Sequence, residues 1–317
     1  MKIVMLEPLG ISNDALHAFA APLIANGHDF IPCETRLSDP ADQIAAAADA
    51  DVLIIANSPL SAEVIRASGS LKMISVAFTG VDHVDAAACR ERSIVVCNAR
   101  GYCTNTVAEL VFGHILSLLR NLNACDRRTR EGGTKDGLVG HELEGRTLGI
   151  VGTGAIGRRV AEIARVFRCN LLGFDSFQHP EALSLGIRYT DLNDLFARSD
   201  IITLHTPLTE ETRHMVNRER IGLMKPGALL INASRGPVVD SEVLAEALMA
   251  GRIAGAGLDV FDTEPPLDVT QPLLQAPHTL LTPHIAFATG ESILRRAELT
   301  LGNITAWLDG APRNVCL

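Results

Sequence analysis

The sequence lacks a long apolar run, an excess of positive charge and a recognisable export signal. No apolar stretch reaches the roughly 18 residues that a membrane-spanning helix requires. With 28 basic and 37 acidic side chains, the net charge is −9, which argues against nucleic acid or an anionic membrane as a partner. The chain begins at once with a strand-like pattern, Lys2 to Leu6, and no basic region precedes an apolar core. We therefore expect a cytoplasmic protein.

The sequence also lacks paired cysteines. Its seven cysteines are an odd number, lie scattered along the chain and include no Cys-x-x-Cys motif. This pattern predicts reduced thiols and argues against a disulfide framework or a zinc site, so we expect no bound metal. The cysteines are Cys33, Cys89, Cys97, Cys103, Cys125, Cys169 and Cys316.

What the sequence does contain is an apolar run that ends in a glycine-rich turn, Leu148 to Gly157. Gly152 would allow the tight turn, Gly154 would let the backbone approach a pyrophosphate, and Gly157 would let helix and strand pack closely. Helix-forming residues follow, so the free N–H groups at the helix start would face the phosphates. A plain strand-to-helix turn can show the same glycines, and the motif alone leaves both interpretations open.

A second apolar strand supports dinucleotide binding because it ends in an acid. Asn170 to Phe174 is followed by Asp175, 18 residues after Gly157. A carboxylate there can accept a hydrogen bond from a ribose 2′-hydroxyl and would repel a 2′-phosphate. The sequence therefore predicts NAD as the cofactor and favours it over NADP.

The order of strand and helix patterns predicts an α/β protein with two doubly wound parallel sheets. A polar, glycine-rich stretch, Asp126 to Glu144, reads as a solvated face or a crossover between domains. A final helix, Thr289 to Leu308, is expected to return to the first unit. Strands are predicted at Lys2–Leu6, Asp29–Ile31, Val52–Ile55, Met73–Val76 and Val95–Cys97, then at Thr147–Val151, Asn170–Phe174, Ile201–Leu204, Ala228–Asn232, Gly257–Val260 and Thr279–Leu281. Helices are predicted at Ser12–Ala25, Pro40–Ala48, Ser61–Ala67, Asp82–Glu91, Thr104–Leu122, Ile156–Phe167, Leu192–Ala197 and Ser241–Ala250.

Charged side chains follow the last three strands of the second sheet, which we expect to contain six strands. Arg235, Glu264 and His284 come shortly after successive strands, and parallel strands all end at one edge. Arg235 can bind a carboxylate in bidentate fashion, and His284 can donate or accept a proton near neutral pH. Glu264 can orient His284 and favour its protonated form. Taken singly they could be a surface ion-pair residue, an exposed turn acid and a structural histidine. Together they predict reduction of a 2-oxo acid. His205 occupies a similar position, and we expect it to line the cofactor.

These motifs and their order resemble the D-isomer-specific 2-hydroxyacid dehydrogenase family, over nearly the whole chain. The resemblance implies a Rossmann NAD-binding domain at 101–286, a discontinuous flavodoxin-like substrate-binding domain at 1–100 and 287–317, and a homodimer. It also implies the catalytic set Arg235, Glu264 and His284. Its marks are Gly152-x-Gly154-x-x-Gly157 with Asp175, Leu204 to Thr209, Met224 to Gly227, Asn232 to Gly236, Gly257 to Phe261 with Glu264-Pro265, Thr282 to His284, Gly80 to Asp85 and Val107 to Glu109.

The predicted site has a cofactor part and a substrate part. A small 2-oxo or 2-hydroxy acid is the expected substrate. The resemblance, together with the motifs above, implies cofactor contacts at Thr106, Gly152, Gly154, Ala155, Ile156, Gly157, Asp175, His205, Thr206, Pro207, Thr212, Ala233, Ser234, Arg235, Asp259 and His284. The predicted substrate contacts are Asn57, Phe78, Thr79, Gly80, Val81, Arg235 and His284.

Departures from the family pattern narrow the expected substrate. Phosphoglycerate-oxidising relatives place a basic residue where this chain has Asn57-Ser58-Pro59, so a non-phosphorylated acid is expected. Formate-oxidising relatives have another residue in place of the acid at Glu264, so the glutamate here argues against formate as the substrate. Two alternatives stay open, namely a phosphoglycerate-type dehydrogenase and an NAD(H)-responsive interaction protein on the same fold.

Overall fold

The computed structural model describes residues 1–263, 267 and 269–317. They divide into two compact units, Met1–Cys103 with Ala288–Leu317, and Thr104–Phe287. The sequence placed these boundaries at 100/101 and 286/287. Among the described residues, no helix combines the length and the apolar character needed to cross a bilayer.

The first unit is built on a five-stranded parallel sheet. Its order, β2-β1-β3-β4-β5, is that of a flavodoxin-like doubly wound fold. The central strands β3 and β4 are buried along their whole length, as expected for strands covered by helices on both faces. The strands are β1 (Lys2–Met5), β2 (Asp29–Ile31), β3 (Val52–Ile55), β4 (Met73–Val76) and β5 (Val95–Asn98).

Polar N-caps begin the helices of this unit. Ser12, Asp39, Ser61 and Asp85 each accept a first-turn N–H. The helix predicted from Asp82 starts later, because Asp85 is its cap. The last helix packs on α1 and β4. These helices are α1 (Asn13–Ala25), α2 (Pro40–Ala47), α3 (Ala62–Ala67), α4 (Ala86–Glu91) and, at the chain end, α12 (Gly290–Leu308).

The second unit contains, over its described residues, a seven-stranded parallel sheet in the order β12-β11-β10-β9-β6-β7-β8. The central part of this order is Rossmann-like, and the prediction of two parallel-sheet α/β domains is confirmed. The prediction of six strands is wrong, because β8 adds an edge strand of two residues. The strands are β6 (Thr147–Val151), β7 (Asn170–Phe174), β8 (Arg188–Tyr189), β9 (Ile201–Leu204), β10 (Leu229–Asn232), β11 (Gly255–Leu258) and β12 (Thr279–Leu281).

The charged stretch after α5 is helical. Asn121 adopts a left-handed conformation that ends α5, and α6 follows with an Arg130–Asp126 ion pair one turn apart. The stretch lies inside the second unit, so its interpretation as a crossover between domains is wrong. The helices are α5 (Thr104–Leu119), α6 (Leu122–Arg130), α7 (Ala155–Val166), α8 (Pro180–Ser184), α9 (Leu192–Arg198), α10 (Arg218–Leu223) and α11 (Ser241–Met249), with short 3-10 helices at Gly236–Val238 and Pro272–Leu274.

Candidate cofactor and catalytic site

The glycine-rich turn joins β6 to α7 in a backbone shape that only glycine permits. Gly152 has a φ of +91°, and a Cβ there would lie 2.7 Å from the His205 carbonyl carbon. A Cβ on Gly157 would overlap the carbonyl oxygen of Gly152. Both glycines therefore let the helix start lie close against the strand end.

The start of α7 fits a pyrophosphate. Gly154 is the N-cap and offers no side chain to the first-turn N–H groups. A Cβ built on Gly154 would meet no described atom within 4 Å, so the backbone is accessible here. Exposed N–H donors and the positive end of the helix dipole favour an anion. The residues present therefore suit the phosphates of NAD.

Hydrogen bonds hold Asp175 at the end of β7. The Thr153 N–H donates to Oδ2 at 2.6 Å, and the Phe177 N–H donates to Oδ1 at 3.3 Å. Burial alone would raise the pKa of this carboxyl, but hydrogen bonds from Thr153, Phe177 and Ser176 outweigh burial and lower the pKa. Asp175 is thus an anion at neutral pH, the form that accepts a ribose hydroxyl and repels a 2′-phosphate.

Two buried polar atoms after β9 lie beside the glycine-rich turn. His205 Nδ1 and Thr206 Oγ1 have no hydrogen-bond partner within the described part of the chain. Buried polar atoms are normally paired, so both favour a ligand that supplies the partner. Burial lowers the pKa of His205 to about 3. Its neutral ring suits contact with the cofactor better than proton transfer.

A buried amide organises the loop that carries Arg235. Asn232 Oδ1 accepts the Ser234 N–H at 3.0 Å and the Ser234 hydroxyl at 2.8 Å. Its Nδ2 donates to the Arg235 carbonyl at 2.9 Å. Arg235 Nη1 donates to the Ser234 carbonyl at 2.8 Å, and the side chain is half-buried. The loop is therefore fixed by Asn232 directly after β10.

The Arg235 loop packs against the loop that follows β11. A Cβ on Gly236 would overlap the carbonyl group of Phe261, so glycine is required at this contact. Glu264, predicted to orient the histidine, lies outside the described residues. Its role stays a prediction.

Asp259 holds the turn that carries His284. The Asp259 carbonyl accepts the His284 N–H at 2.8 Å, and its carboxylate accepts the N–H groups of Ile285 and Ala286 at 2.9 and 2.8 Å. His284 has a φ of +52°, a left-handed conformation that costs energy for a residue with a Cβ. The Phe287 ring meets the imidazole edge-on, with ring centroids 5.7 Å apart. The hydrogen bonds to Asp259 offset the cost of the turn.

The Asp259 carboxylate is fully buried, with 0% of the residue exposed. Burial raises the pKa of this carboxyl, although hydrogen bonds from Thr282 and from the N–H groups of Ile285 and Ala286 act to lower it. The contact of Asp259 with the cofactor stays a prediction, because the described partners of the carboxylate are Thr282, Ile285 and Ala286.

His114 extends this arrangement from α5. Thr282 Oγ1 donates to Asp259 Oδ1 at 2.6 Å and lies 3.2 Å from His114 Nε2. Because the Thr282 proton goes to the carboxylate, His114 Nε2 is the donor of the second bond. His114 is 1% exposed, and burial lowers its pKa to about 4. A Cβ on Gly257 would lie 2.8 Å from the His114 Cβ, so that glycine makes room for the ring.

In the first unit, a buried carboxylate shapes the loop after β3. Glu7 is 4% exposed and accepts the N–H groups of Ala56 and Asn57 at 3.2 Å each, and also that of Ser58. Arg36 Nε lies 3.5 Å from the same carboxylate. The predicted substrate residue Asn57 is therefore held by an acid far away in the sequence.

The loop after β4 is also held by buried groups. The Phe78 ring stacks edge-on with Tyr102, and the Arg296 guanidinium carbon lies 5.2 Å from its centroid. The Thr79 carbonyl accepts Asn98 Nδ2 at 2.7 Å. Phe78 is buried, Thr79 is exposed, and Gly80 and Val81 are half-buried.

The remaining predicted contacts differ in accessibility. Thr106 is buried in the first turn of α5, Ala155 and Pro207 are exposed, and Ile156, Thr212 and Ala233 are half-buried. The Thr212 hydroxyl donates to the Pro207 carbonyl at 2.7 Å, so it shapes its own loop. These contacts stay predictions.

Sequence reasoning missed the side chains that position the site. Glu7 carried no motif of its own, and Thr153, which binds Asp175, lies between two glycines of a recognised motif. His114 did carry a signal, because it is a polar residue on an otherwise apolar helix face. Asn232 belonged to a recognised motif, but its hydrogen bonds could be seen only in the structure.

Comparison with known proteins identifies the family. Residues 112–286 match the D-isomer specific 2-hydroxyacid dehydrogenase NAD-binding domain. A glyoxylate reductase of Korarchaeum cryptofilum is 39% identical, over 83% of this chain and 81% of that protein. A hydroxypyruvate reductase of Thermotoga maritima is 37% identical, over 88% and 92%. The structure of a D-lactate dehydrogenase of Aquifex aeolicus, complexed with NAD and lactic acid, has a TM-score of 0.86 at 29% identity and covers 98% of this chain and 96% of that one.

The family and an NAD-type cofactor, both predicted from the motifs, are thus confirmed, and the preference for NAD over NADP stays a prediction. The chain belongs to the D-isomer specific 2-hydroxyacid dehydrogenases, which are NAD-dependent oxidoreductases acting on CH–OH groups.

Proposed function

We propose that the protein interconverts a small non-phosphorylated 2-oxo acid and its 2-hydroxy acid, the (R) isomer where C2 is a stereocentre, with glyoxylate and hydroxypyruvate as the first candidates. The observation that carries the proposal is the alignment of β10, β11 and β12. Asn232 pairs with Leu258, and Leu258 pairs with Leu281. Arg235 and His284 therefore follow strand ends that lie in register at one edge of the NAD-binding unit.

Each side chain has a distinct role in this proposal. The Arg235 guanidinium binds the substrate carboxylate and polarises the keto oxygen. The His284 imidazolium gives its proton to the oxygen on C2 during reduction, and the neutral ring removes that proton during oxidation. When bound, NADH would supply the hydride that C2 accepts, so one hydride and one proton would convert the C2 carbonyl group to the alcohol. Glu264 is proposed to keep His284 oriented and protonated.

The cofactor contacts are proposed on the same basis. Gly152, Gly154 and Gly157 would hold the pyrophosphate with Ala155 and Ile156, and Asp175 would bind the adenosine ribose. His205 and Thr206 would use their buried polar atoms on the cofactor. The other proposed contacts are Thr106, Pro207, Thr212, Ala233, Ser234, Arg235, Asp259 and His284.

A non-phosphorylated substrate is supported by the loop after β3. Three successive N–H groups, those of Ala56, Asn57 and Ser58, already donate to the Glu7 carboxylate. A phosphate dianion would have to compete with this anion, and the neighbouring Arg36 already pairs with Glu7. Substrate contacts at Asn57, Phe78, Thr79, Gly80 and Val81 remain part of the proposal.

We further propose a homodimer in the cytoplasm. None of the seven cysteines, all of which the structure describes, lies in a disulfide, in keeping with a reducing compartment. Leu122 and Val139 of the second unit are 51% and 79% exposed, and a second copy could cover such apolar side chains. Light scattering over a range of protein concentrations tests the dimer, and a monomer throughout would refute it.

The reaction is tested by NADH oxidation with a panel of 2-oxo acids. We expect turnover with glyoxylate and hydroxypyruvate, and weak turnover with 3-phosphohydroxypyruvate, which differs from hydroxypyruvate by one phosphate. A preference for the phosphorylated acid would favour a phosphoglycerate-type dehydrogenase. NADH binding without turnover of any acid would favour the NAD(H)-responsive interaction protein.

The roles of His284 and Arg235 are tested by substitution. His284→Gln should lower kcat by ~10² or more with NADH affinity retained. Arg235→Lys should raise the KM for the 2-oxo acid, because the single ammonium loses bidentate contact. The matched control is His141→Gln, an exposed histidine of the same unit, which should keep the original turnover. Full activity of the His284 variant would remove it from the mechanism.

A further inference from the structure

A chain of hydrogen bonds leads into Asp175 from two loops and the edge strand of the NAD-binding unit. The Thr153 hydroxyl lies 3.1 Å from Asp175 Oδ2 and 2.6 Å from the Tyr189 hydroxyl. The Tyr189 oxygen also accepts the His179 N–H at 3.1 Å. Thr153 belongs to the glycine-rich turn, and Tyr189 lies on the edge strand β8.

The direction of every bond in this chain is determined. An ionised carboxylate only accepts, so the Thr153 hydroxyl donates to Asp175. The Thr153 oxygen can then accept from Tyr189, whose own oxygen accepts the backbone N–H of His179. Successive bonds in one direction polarise each other. Asp175 Oδ2 therefore receives both the N–H and the hydroxyl of Thr153.

The two carboxylate oxygens of Asp175 face different partners. Oδ2 is bound to Thr153, which is 0% exposed. Oδ1 accepts the Ser176 hydroxyl and the Phe177 N–H, each at 3.3 Å. The exposed Ser176 hydroxyl can rotate away, which leaves Oδ1 able to accept a ribose hydroxyl. One oxygen thus anchors the carboxylate and the other is available to a ligand.

We propose that Thr153 and Tyr189 are positioning residues that hold the Asp175 carboxylate at the ribose site and thereby set the selectivity for NAD over NADP. The inference rests on the proposed ribose contact of Asp175. A carboxylate that is held in place cannot swing aside to admit a 2′-phosphate, so like-charge repulsion and the lost hydroxyl contact both act against NADP. Without the anchor, the side chain can turn outwards.

Tyr189→Phe and Thr153→Val test the anchor, because each removes one hydroxyl with little change in shape. The measured quantity is kcat/KM for NADH divided by kcat/KM for NADPH. We expect this ratio to fall about tenfold in Thr153→Val, which removes a hydrogen bond to the charged Asp175, and about threefold in Tyr189→Phe, which removes a bond between two neutral hydroxyls. The KM for NADH should rise and kcat at saturating NADH should stay near the original value.

Thr153→Ser is the matched control, since it keeps the hydroxyl and should retain the original ratio. If the two side chains had a merely structural role, the variants would bind both cofactors more weakly to the same extent or have a lower Tm. The cofactor ratio would then be unchanged. If Thr153→Val fails to fold, Tyr189→Phe and direct titration of NADH and NADPH by fluorescence still measure the selectivity.

Asp175→Ala separates the failure of this inference from the failure of the proposed ribose contact. If Asp175→Ala leaves the cofactor ratio unchanged, the ribose contact itself is wrong. If Asp175→Ala abolishes selectivity but Tyr189→Phe and Thr153→Val keep the original ratio, the positioning role is overturned. A fall of the cofactor ratio in all three variants, with the ratio of Thr153→Ser unchanged, supports the positioning role.

Discussion

At the scale of single residues, buried side chains bind the backbone of the functional loops. Asp259 accepts two N–H groups after His284, Glu7 accepts three in the loop after β3, and Asn232 binds the Arg235 loop. Such loops carry N–H groups that no sheet or helix satisfies, and a buried carboxylate or amide supplies the partner. The strongest constraint acts on His284, whose backbone is left-handed.

Removing the Thr282 hydroxyl should therefore affect both stability and catalysis. Thr282→Val would leave His114 Nε2 without its acceptor and remove one donor from Asp259. The cost in unfolding free energy should be roughly 1–3 kcal/mol. A looser His284 turn should lower kcat/KM for the 2-oxo acid about tenfold, because proton transfer depends on position. Denaturant unfolding and steady-state kinetics measure the two effects.

Thr282→Ser is the control for this prediction, because it keeps the hydroxyl between His114 and Asp259. It should stay close to the original protein in both measurements. Equal losses in the serine and valine variants would mean that the methyl group, and not the hydrogen bonds, supports the turn.

At the scale of elements, segments with a clear apolar pattern were predictable, and several polar ones were not. Strands β1, β3 and β4 of the first unit are mainly apolar runs, and the structure has a strand at each predicted position. Strand β8 has only two residues, one exposed and one half-buried, so no alternation could reveal it. Helix α6 has a polar sequence, and none of its residues, all of them described, is buried. Its charged residues correctly indicated exposure to solvent. They left no apolar periodicity from which the helix could be predicted.

Two glycines at the junction of β6 and α7 differ in the space around them, so their alanine variants can be compared. Gly157→Ala would bring a Cβ into the carbonyl oxygen of Gly152, so the helix must move off the strand end. We expect a loss of roughly 1–3 kcal/mol in stability and weaker NADH binding. Gly154→Ala meets no described atom and keeps a φ of −63° that alanine adopts readily.

Gly154→Ala should therefore retain the original Tm without cofactor and still bind NADH more weakly, because its Cβ faces the proposed pyrophosphate site. Thermal unfolding without cofactor and NADH titration by fluorescence test both variants. Unchanged NADH affinity in Gly154→Ala would place the phosphates elsewhere.

At the scale of the whole molecule, the parts of the site that could not be predicted join distant segments of the chain. Strand ends could be predicted from local pattern, and they placed Arg235 and His284 after the strands on either side of β11. The partners that hold the functional loops come from far away in the sequence, since His114 is 168 residues from Thr282 and Glu7 is 51 residues from Ser58. No local pattern specifies which distant polar side chain will face a buried N–H group. The reaction class was therefore predictable, and the positioning residues needed the structure.

Buried neutral histidines should make the stability of the whole protein depend on pH. Burial lowers the pKa of His114 to about 4, below the value of about 6.5 in an unfolded chain. Between these values the unfolded state binds one more proton than the folded state, so stability falls as the pH falls. For His114 the full loss is about 3 kcal/mol. The lowered pKa of His205 acts in the same direction, and the raised pKa of Asp259 acts in the opposite one.

His114→Gln tests this dependence, because glutamine can still donate to Thr282 but does not titrate. We expect the Tm of the original protein to fall more steeply than that of the variant as the pH is lowered from 6.5 towards 4.5. The difference should be about 2 °C for each kcal/mol of linked proton binding. The exposed His141→Gln is the control and should keep the original slope. Parallel Tm profiles for the His114 variant and the original protein would show that folding does not lower the pKa of His114. The loss of stability at low pH would then come from other groups.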